Sequence, residues 1–371
     1  MGGVTVEPPF AAEDLASVLA GIAGVTADLR NARLFITGGT GFFGRWLLES
    51  MLAANAQTGA NLTATVLARD PAAFLARMPH LATARAITWV TGAVTTIRPE
   101  DFAGQRFDGV IHLATESDSQ ATVSNPGAAV DVITGGTRRV LDVAVATGAR
   151  RFLFASSGSV YGKQPSTVER LDESFPGLPD PNNFTDAYAI SGEAKRQAEL
   201  LCATYAREHP LAPVIARGFT FAGPGLPLDG KFAFGNFMRD ALAGRPIVLT
   251  GDGTPVRSYL HAIDLTVWLW TMLVRGAPGR AYNVGSEHAV TLRELADAIA
   301  EEFGLAEVKV LQKPLPGQLP HRYVPSTARA RAELGLSETI NLPETIRRSA
   351  IGLGRGAEKS LFEKNSSGPS G

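Results

Sequence analysis

Gly38, Gly41 and Gly44 recur at every third position of Thr37-Gly38-Gly39-Thr40-Gly41-Phe42-Phe43-Gly44, between the apolar run Leu34 to Ile36 and an amphipathic stretch from Arg45 to Ala54. That spacing suits a strand, a tight turn and a helix. The first glycine makes the turn, the second lets backbone approach a pyrophosphate, and the third lets the helix pack close to the sheet. The helix start adds free N–H groups and the positive end of its dipole. The expected ligand is a dinucleotide held by Gly38, Thr40, Gly41, Phe42, Phe43 and Gly44; a glycine-rich turn without a ligand is the plainer alternative. In such folds a carboxylate ending the next strand holds the adenosine ribose hydroxyls. Here the strand Leu62 to Ala68 ends in Ala68-Arg69-Asp70-Pro71. Arg69 suits adenine or a 2′-phosphate and Asp70 suits the ribose, so NAD and NADP are both admitted.

The elements that must position this turn alternate along the first half. Apolar runs at Ile87 to Val90, Val110 to Ala114 and Arg151 to Ala155 read as strands, with a helix from about Ala128 to Thr147 and a sixth strand from Ile215 to Thr220. Such alternation implies a doubly wound parallel sheet whose ligands lie beyond the strands' carboxyl ends, where strand order switches. His112, inside a strand, reads as structural. After Thr220, Pro/Gly-rich loops and short elements take over. The expected fold is α/β, a Rossmann-type doubly wound parallel sheet with a smaller C-terminal α/β substrate domain. The boundaries read as a helical extension over 1–32 and a dinucleotide domain over 33–220, to which parts of 255–290 return. A substrate domain over 221–355 and a disordered tail over 356–371 follow. Thr291 and Glu294 are spaced as a capping box before an amphipathic helix.

Composition narrows the function. The 371 residues are 45% hydrophobic with a net charge of −1, which gives no electrostatic case for nucleic acid or an anionic membrane. The single cysteine, Cys202, excludes an internal disulfide and a cysteine-rich metal site, so no metal is expected, and it suits a reducing cytoplasm. No signal peptide is read at the start, and the apolar run Ala262 to Val274 is too short to span a bilayer and contains Asp264.

Several stretches together resemble the extended short-chain dehydrogenase/reductase family, in its NAD-dependent epimerase/dehydratase branch acting on nucleotide sugars. They are the glycine turn, His112-Leu113-Ala114, Ser156-Ser157-Gly158-Ser159-Val160-Tyr161-Gly162, Gly251-Asp252-Gly253 through Arg257-Ser258 to Asp264-Leu265, and Tyr282-Asn283-Val284-Gly285-Ser286. The resemblance runs from about Leu34 to about Ile346. It implies NAD, with NADP possible, and a nucleotide-diphosphate sugar as substrate. It places Leu113 and Ala114 against the cofactor, Ser157 on the substrate oxygen, Asn236 at the nucleotide-covering segment and Arg257 on the diphosphate. Arg322 is a second candidate phosphate contact, and for Arg257 a structural pairing with Asp252 is the alternative. The resemblance also implies a homodimer through helices at about 128–147 and 192–207.

Chemistry in the resembling family needs a tyrosine to move a hydroxyl proton and a lysine, four residues later, to lower its pKa and hold the cofactor ribose. A phenol ionising near 10 requires a nearby cation to work at neutral pH. In this sequence Gly192 follows Tyr188 by four and Ser191 precedes Lys195 by four. Three readings follow: Tyr188 is kept with Gly192 in the lysine's place; Tyr188 and Lys195 are the pair, spread by three residues; or Ser191 has replaced the tyrosine. A working Tyr188 with a displaced or substitute cation is preferred. Glu116 and Asp118 are further acid/base candidates, with a solvated loop as their plain alternative. The family's 4,6-dehydratases place Asp-Glu where Gly158-Ser159 stand, and its decarboxylases expect a glutamate at Ser159. The expected activity is therefore 4-epimerisation or carbonyl reduction, an isomerase or oxidoreductase, with a member that has lost redox chemistry as the rival.

Overall fold

The computed structural model describes residues 6–116, 119–183, 185–228 and 232–353. The expected tail over 356–371 and Asp118 lie outside the described residues.

Seven strands form one parallel sheet. They are β1 (Arg33–Thr37), β2 (Thr63–Ala68), β3 (Ile87–Thr91), β4 (Gly109–His112), β5 (Arg151–Ser157), β6 (Ala212–Gly218) and β7 (Ala281–Val284), in the order β7-β6-β5-β4-β1-β2-β3. The chain turns outward in opposite directions from the β1–β4 pair, so the crevice between their carboxyl ends is the switch point. Strand residues alternate between two apolar layers. Leu34, Ile36, Ile111 and Leu153 face one core, with Trp46, Trp268 and Trp270. Phe35, Val110, Phe152 and Phe154 face the other, with Ala194, Ala198 and Cys202.

The helices that cover these layers, in chain order, are α1 (Ala12–Gly21), α2 (Phe42–Thr58), α3 (Gly136–Ala146), α4 (Ala187–Glu208) and α6 (Ala262–Arg275). The smaller lobe contributes α5 (Ala233–Leu242), α7 (Leu292–Phe303) and α8 (Leu342–Gly352) around a third apolar cluster that includes Phe234, Phe237 and Ile299. Thr291 caps α7 as the spacing requires: the Glu294 N–H donates to Thr291 Oγ1 at 3.0 Å and the Thr291 N–H to the Glu294 carboxylate at 2.7 Å. Among the described residues no helix is long and apolar enough to cross a membrane.

Two departures from the sequence reading have local causes. The helix after the glycine turn begins at Phe42, not Arg45, because extended Gly41 is its N-cap. The helix expected over 128–147 is continuous but widens into a π-type stretch over Asp131–Gly135 before α3. At its end a Cβ on Gly136 would lie 2.7 Å from Val94 Cγ2, so the helix backbone packs closely there.

The segment before β1 straps across α2. Phe10 stacks on Trp46 with centroids 3.9 Å apart. Its N–H donates to Glu49 at 2.6 Å, and Arg45 bridges Glu7 and Glu49 at 2.8 Å each.

Candidate active site

Gly38 has φ +73°, a conformation that favours glycine. A Cβ on it would lie 2.7 Å from the Ala114 nitrogen, so the turn presses on the segment that follows β4. A Cβ on Gly44 would lie 2.4 Å from Gly39 Cα, which holds α2 against the turn. Gly41 caps α2 without a side-chain bond, leaving first-turn N–H groups for phosphate oxygens. Thr40 and Gly41 are exposed, and Phe42 and Phe43 are partly so. The cradle thus fits a pyrophosphate, with Leu113 and Ala114 forming its far wall.

At the end of β2, Arg69 is exposed. Asp70 caps the next helix, accepting from the Ala73 N–H at 3.0 Å. The carboxylate that could hold a ribose is therefore engaged with a helix start. His112 is structural in its contacts: its ring nitrogens meet the hydroxyls of Thr37 at 2.6 Å and Thr137 at 3.1 Å. Burial, with Lys195 nearby, lowers its pKa to about 3 and keeps it neutral.

Ser157 ends β5 and accepts from the Ser159 N–H at 3.1 Å and the Ser159 hydroxyl at 2.9 Å. One turn of sheet earlier, Ala155 accepts from Lys195 Nζ at 2.6 Å. Lys195 is buried over the Phe154 ring. Burial lowers its pKa from 10.5 to about 8, against the raising influence of Glu199.

The three readings of the Tyr/Lys motif can now be compared. The helix is unbroken from Ala187, so Tyr188 and Lys195 stand about 10 Å apart along the axis and do not pair. Gly192 lies against the Gly158–Tyr161 turn: a Cβ would be 2.4 Å from the Ser159 carbonyl oxygen, which leaves no room for a lysine. Ser191 lies four residues before Lys195 on the same helical face. Tyr188 Oη reaches the carbonyls of Gly158 and Gly162 at 3.4 Å each. Burial pushes its pKa well above the ordinary phenol value, and Arg257 opposes this.

Arg257 bonds the carbonyls of Val256 and His321 and has no carboxylate partner among the described residues. Its expected alternative partner, Asp252, instead bonds Thr254. Arg322 does not join Arg257. In the register of Arg322–Tyr323 against Val256–Arg257, Tyr323 is the residue opposite Arg257, and strand alternation turns Arg322 to the other face. Asn236 on α5 accepts from Arg239 at 3.2 Å. Glu116 is partly buried beyond β4.

Sequence reasoning missed three groups at this edge. Glu199 accepts from Ser156 at 2.5 Å and pairs with Arg217, whose Nη2 lies 2.6 Å from its carboxylate. Arg217 also bonds Tyr161 at 2.9 Å. The signal available was a charge at the end of an apolar strand and another on the sheet face of a helix. Tyr323 is the third. A Cβ on Gly158 would lie 2.6 Å from its oxygen, so position 158 is occupied by a phenol from the other lobe. Nothing in the local pattern marks it.

A sequence profile described as the NAD dependent epimerase/dehydratase family matches residues 34–285. Curated relatives include a dTDP-glucose 4,6-dehydratase from Streptomyces antibioticus, 27% identical over 326 residues, 85% of this chain and 90% of that protein. UDP-glucuronic acid decarboxylase 6 of Arabidopsis thaliana is 27% identical over 320 residues, 85% of this chain and 87% of that protein. Among solved structures, an epimerase from Methanothermobacter thermautotrophicus matches with a TM-score of 0.76 at 24% identity, covering 93% of this chain and 98% of its own. A dTDP-glucose 4,6-dehydratase from Streptomyces venezuelae, solved with NAD, matches at 0.71 and 24%, covering 88% and 98%. These two structures share the fold.

Proposed function

Because the chain belongs to the NAD dependent epimerase/dehydratase family, we propose that it modifies a nucleotide-diphosphate sugar, as a 4-epimerase or ketoreductase. The observation that carries this reading is Arg257, a guanidinium without a carboxylate partner among the described residues, placed where it acts on the phenols beside Ser157. Its fork suits two diphosphate oxygens. The cradle around Gly38 to Gly44 holds the dinucleotide, whose nicotinamide takes and returns a hydride when bound. Ser157 donates to the sugar oxygen. Lys195 orients the nicotinamide ribose from the end of β5, reaching it by exchanging its bond to Ala155. Dehydration is disfavoured because Gly158 cannot carry the acid that the family's dehydratases use there: Tyr323 and Phe219 fill the space, the latter 2.9 Å from a Cβ. Exposed Leu200 on α4 suits the expected homodimer.

The test is to denature the purified protein, identify any released dinucleotide, and incubate the native protein with UDP- and dTDP-hexoses. Tightly held NAD and conversion of a hexose at C4 are expected. A second reading, a member without redox chemistry, draws on Tyr188, whose hydroxyl meets the backbone carbonyls of Gly158 and Gly162 and stands two turns from Lys195. No bound dinucleotide and no affinity for added NAD or NADP would establish that rival instead.

A further inference from the structure

The site lacks a tyrosine four residues before Lys195, yet a second phenol enters it from the smaller lobe. The Tyr323 ring stacks on Phe219 with centroids 4.6 Å apart and meets Tyr188 edge-on at 5.7 Å. Its oxygen lies above Gly158, the residue after Ser157. Its hydroxyl faces the Gly218 carbonyl at 3.5 Å, and Ser157, Tyr188 and the Gly158 N–H lie close enough to favour its ionised form. Arg257, its partner across the strand pair, adds positive charge. Burial holds the Tyr323 phenol up at about 12 although these groups pull it down. Positive charge and donors near a phenol oxygen oppose the burial penalty on its anion. Tyr188 faces two carbonyl acceptors, Gly158 and Gly162 at 3.4 Å each, which favour its protonated form.

We propose that Tyr323 is the catalytic phenol of this enzyme, exchanging a proton with the sugar hydroxyl that Ser157 bonds, and that Tyr188 positions it. The assignment rests on the nucleotide-sugar reading above. In the oxidising half, the sugar O–H bond breaks and its proton passes to the ionised Tyr323 oxygen. The carbon's C–H electron pair leaves as hydride to the nicotinamide, and a C=O bond forms. In the returning half, hydride adds back to that carbon and the Tyr323 hydroxyl returns its proton to the oxygen. One proton and one hydride move out and back, and Tyr323 ends the cycle in the form in which it began.

Tyr323→Phe removes one oxygen and keeps the stack on Phe219. Each variant is assayed on the hexose that the wild type converts, with NAD affinity and thermal unfolding measured alongside. Tyr323→Phe is expected to lower turnover by at least about 100-fold with NAD affinity unchanged, the scale of a lost acid–base group. Tyr188→Phe is expected to cost about tenfold, at the low end for a group acting through another. Adding Ser191→Tyr to Tyr323→Phe rebuilds Tyr-x-x-x-Lys and should recover tenfold or more on the same scale, a gain that a merely structural Tyr323 would not give. Turnover of Tyr323→Phe close to wild type, or a larger loss in Tyr188→Phe than in Tyr323→Phe, overturns the assignment and leaves the nucleotide-sugar reading standing. A wild type that binds NAD but converts no hexose removes that reading, and this assignment with it.

Discussion

Replacing Lys195 with Met should weaken dinucleotide binding without weakening the fold. Lys195 is 5% exposed, with its ammonium against the Ala155 carbonyl. Its pKa falls from 10.5 to about 8, chiefly through burial, and the difference (10.5 − 8 = 2.5) corresponds to about 3 kcal/mol against the charged form at pH 7. Between pH 8 and 10.5 the unfolded chain holds a proton that the folded chain releases, so this group makes stability rise with pH across that window and its cost is complete below it. Methionine has similar reach and no charge. Lys195→Met should therefore be at least as stable as wild type at pH 7, within about 1 kcal/mol for the lost hydrogen bond, and should lack the rise. If the ammonium holds the ribose, its loss removes a charged hydrogen bond of about 1.5–3 kcal/mol, or roughly 10- to 100-fold in Kd. Urea unfolding at pH 7 and pH 10 reads the first quantity, and quenching of protein fluorescence by NAD reads the second. A variant that loses more than about 2 kcal/mol, the range of broken buried networks, while binding NAD unchanged would make Lys195 a structural staple and refute the reasoning.

Three further outcomes are expected. Gly192→Ala must push its Cβ into the Ser159 carbonyl, so unfolding in urea should show a loss of about 1–3 kcal/mol, and Gly192→Lys should not raise activity. Arg257→Ala should weaken UDP binding, followed by calorimetry, by about tenfold or more and flatten its salt dependence, with little effect on stability. Asp70→Ala removes a helix cap, so it should cost about 1 kcal/mol in thermal or urea unfolding and leave NAD affinity unchanged; a large loss of NAD affinity would return Asp70 to the ribose.

The sheet and the cofactor crevice were legible because they are written locally. Gly38, Gly41 and Gly44 encode their turn in three spacings, and Leu34, Phe35 and Ile36 encode a strand buried on both faces. The catalytic register was not legible, since Tyr188 is followed at the family's spacing by Gly192 and Lys195 is preceded at it by Ser191, and local pattern does not choose between the three readings. Tyr323 was harder still. It lies 166 residues from Ser157 by numbering (323 − 157), and a two-residue strand against Val256–Arg257 brings it there. Arg322 is the charged neighbour, but the strand register sets Tyr323 opposite Arg257.

The strap ahead of β1 bears on where this protein can be cut. Glu49 is 3% exposed and accepts from the Phe10 N–H, while Trp46 is fully covered and stacked on the Phe10 ring. Both residues belong to α2, the helix that follows the glycine turn. Trimming the chain to its first strand would strip an indole bare and remove one donor from a buried carboxylate in that helix. The shortest piece that keeps the phosphate cradle intact therefore starts at Glu7, upstream of the first helix, and deletion variants or fusion junctions are best planned from there.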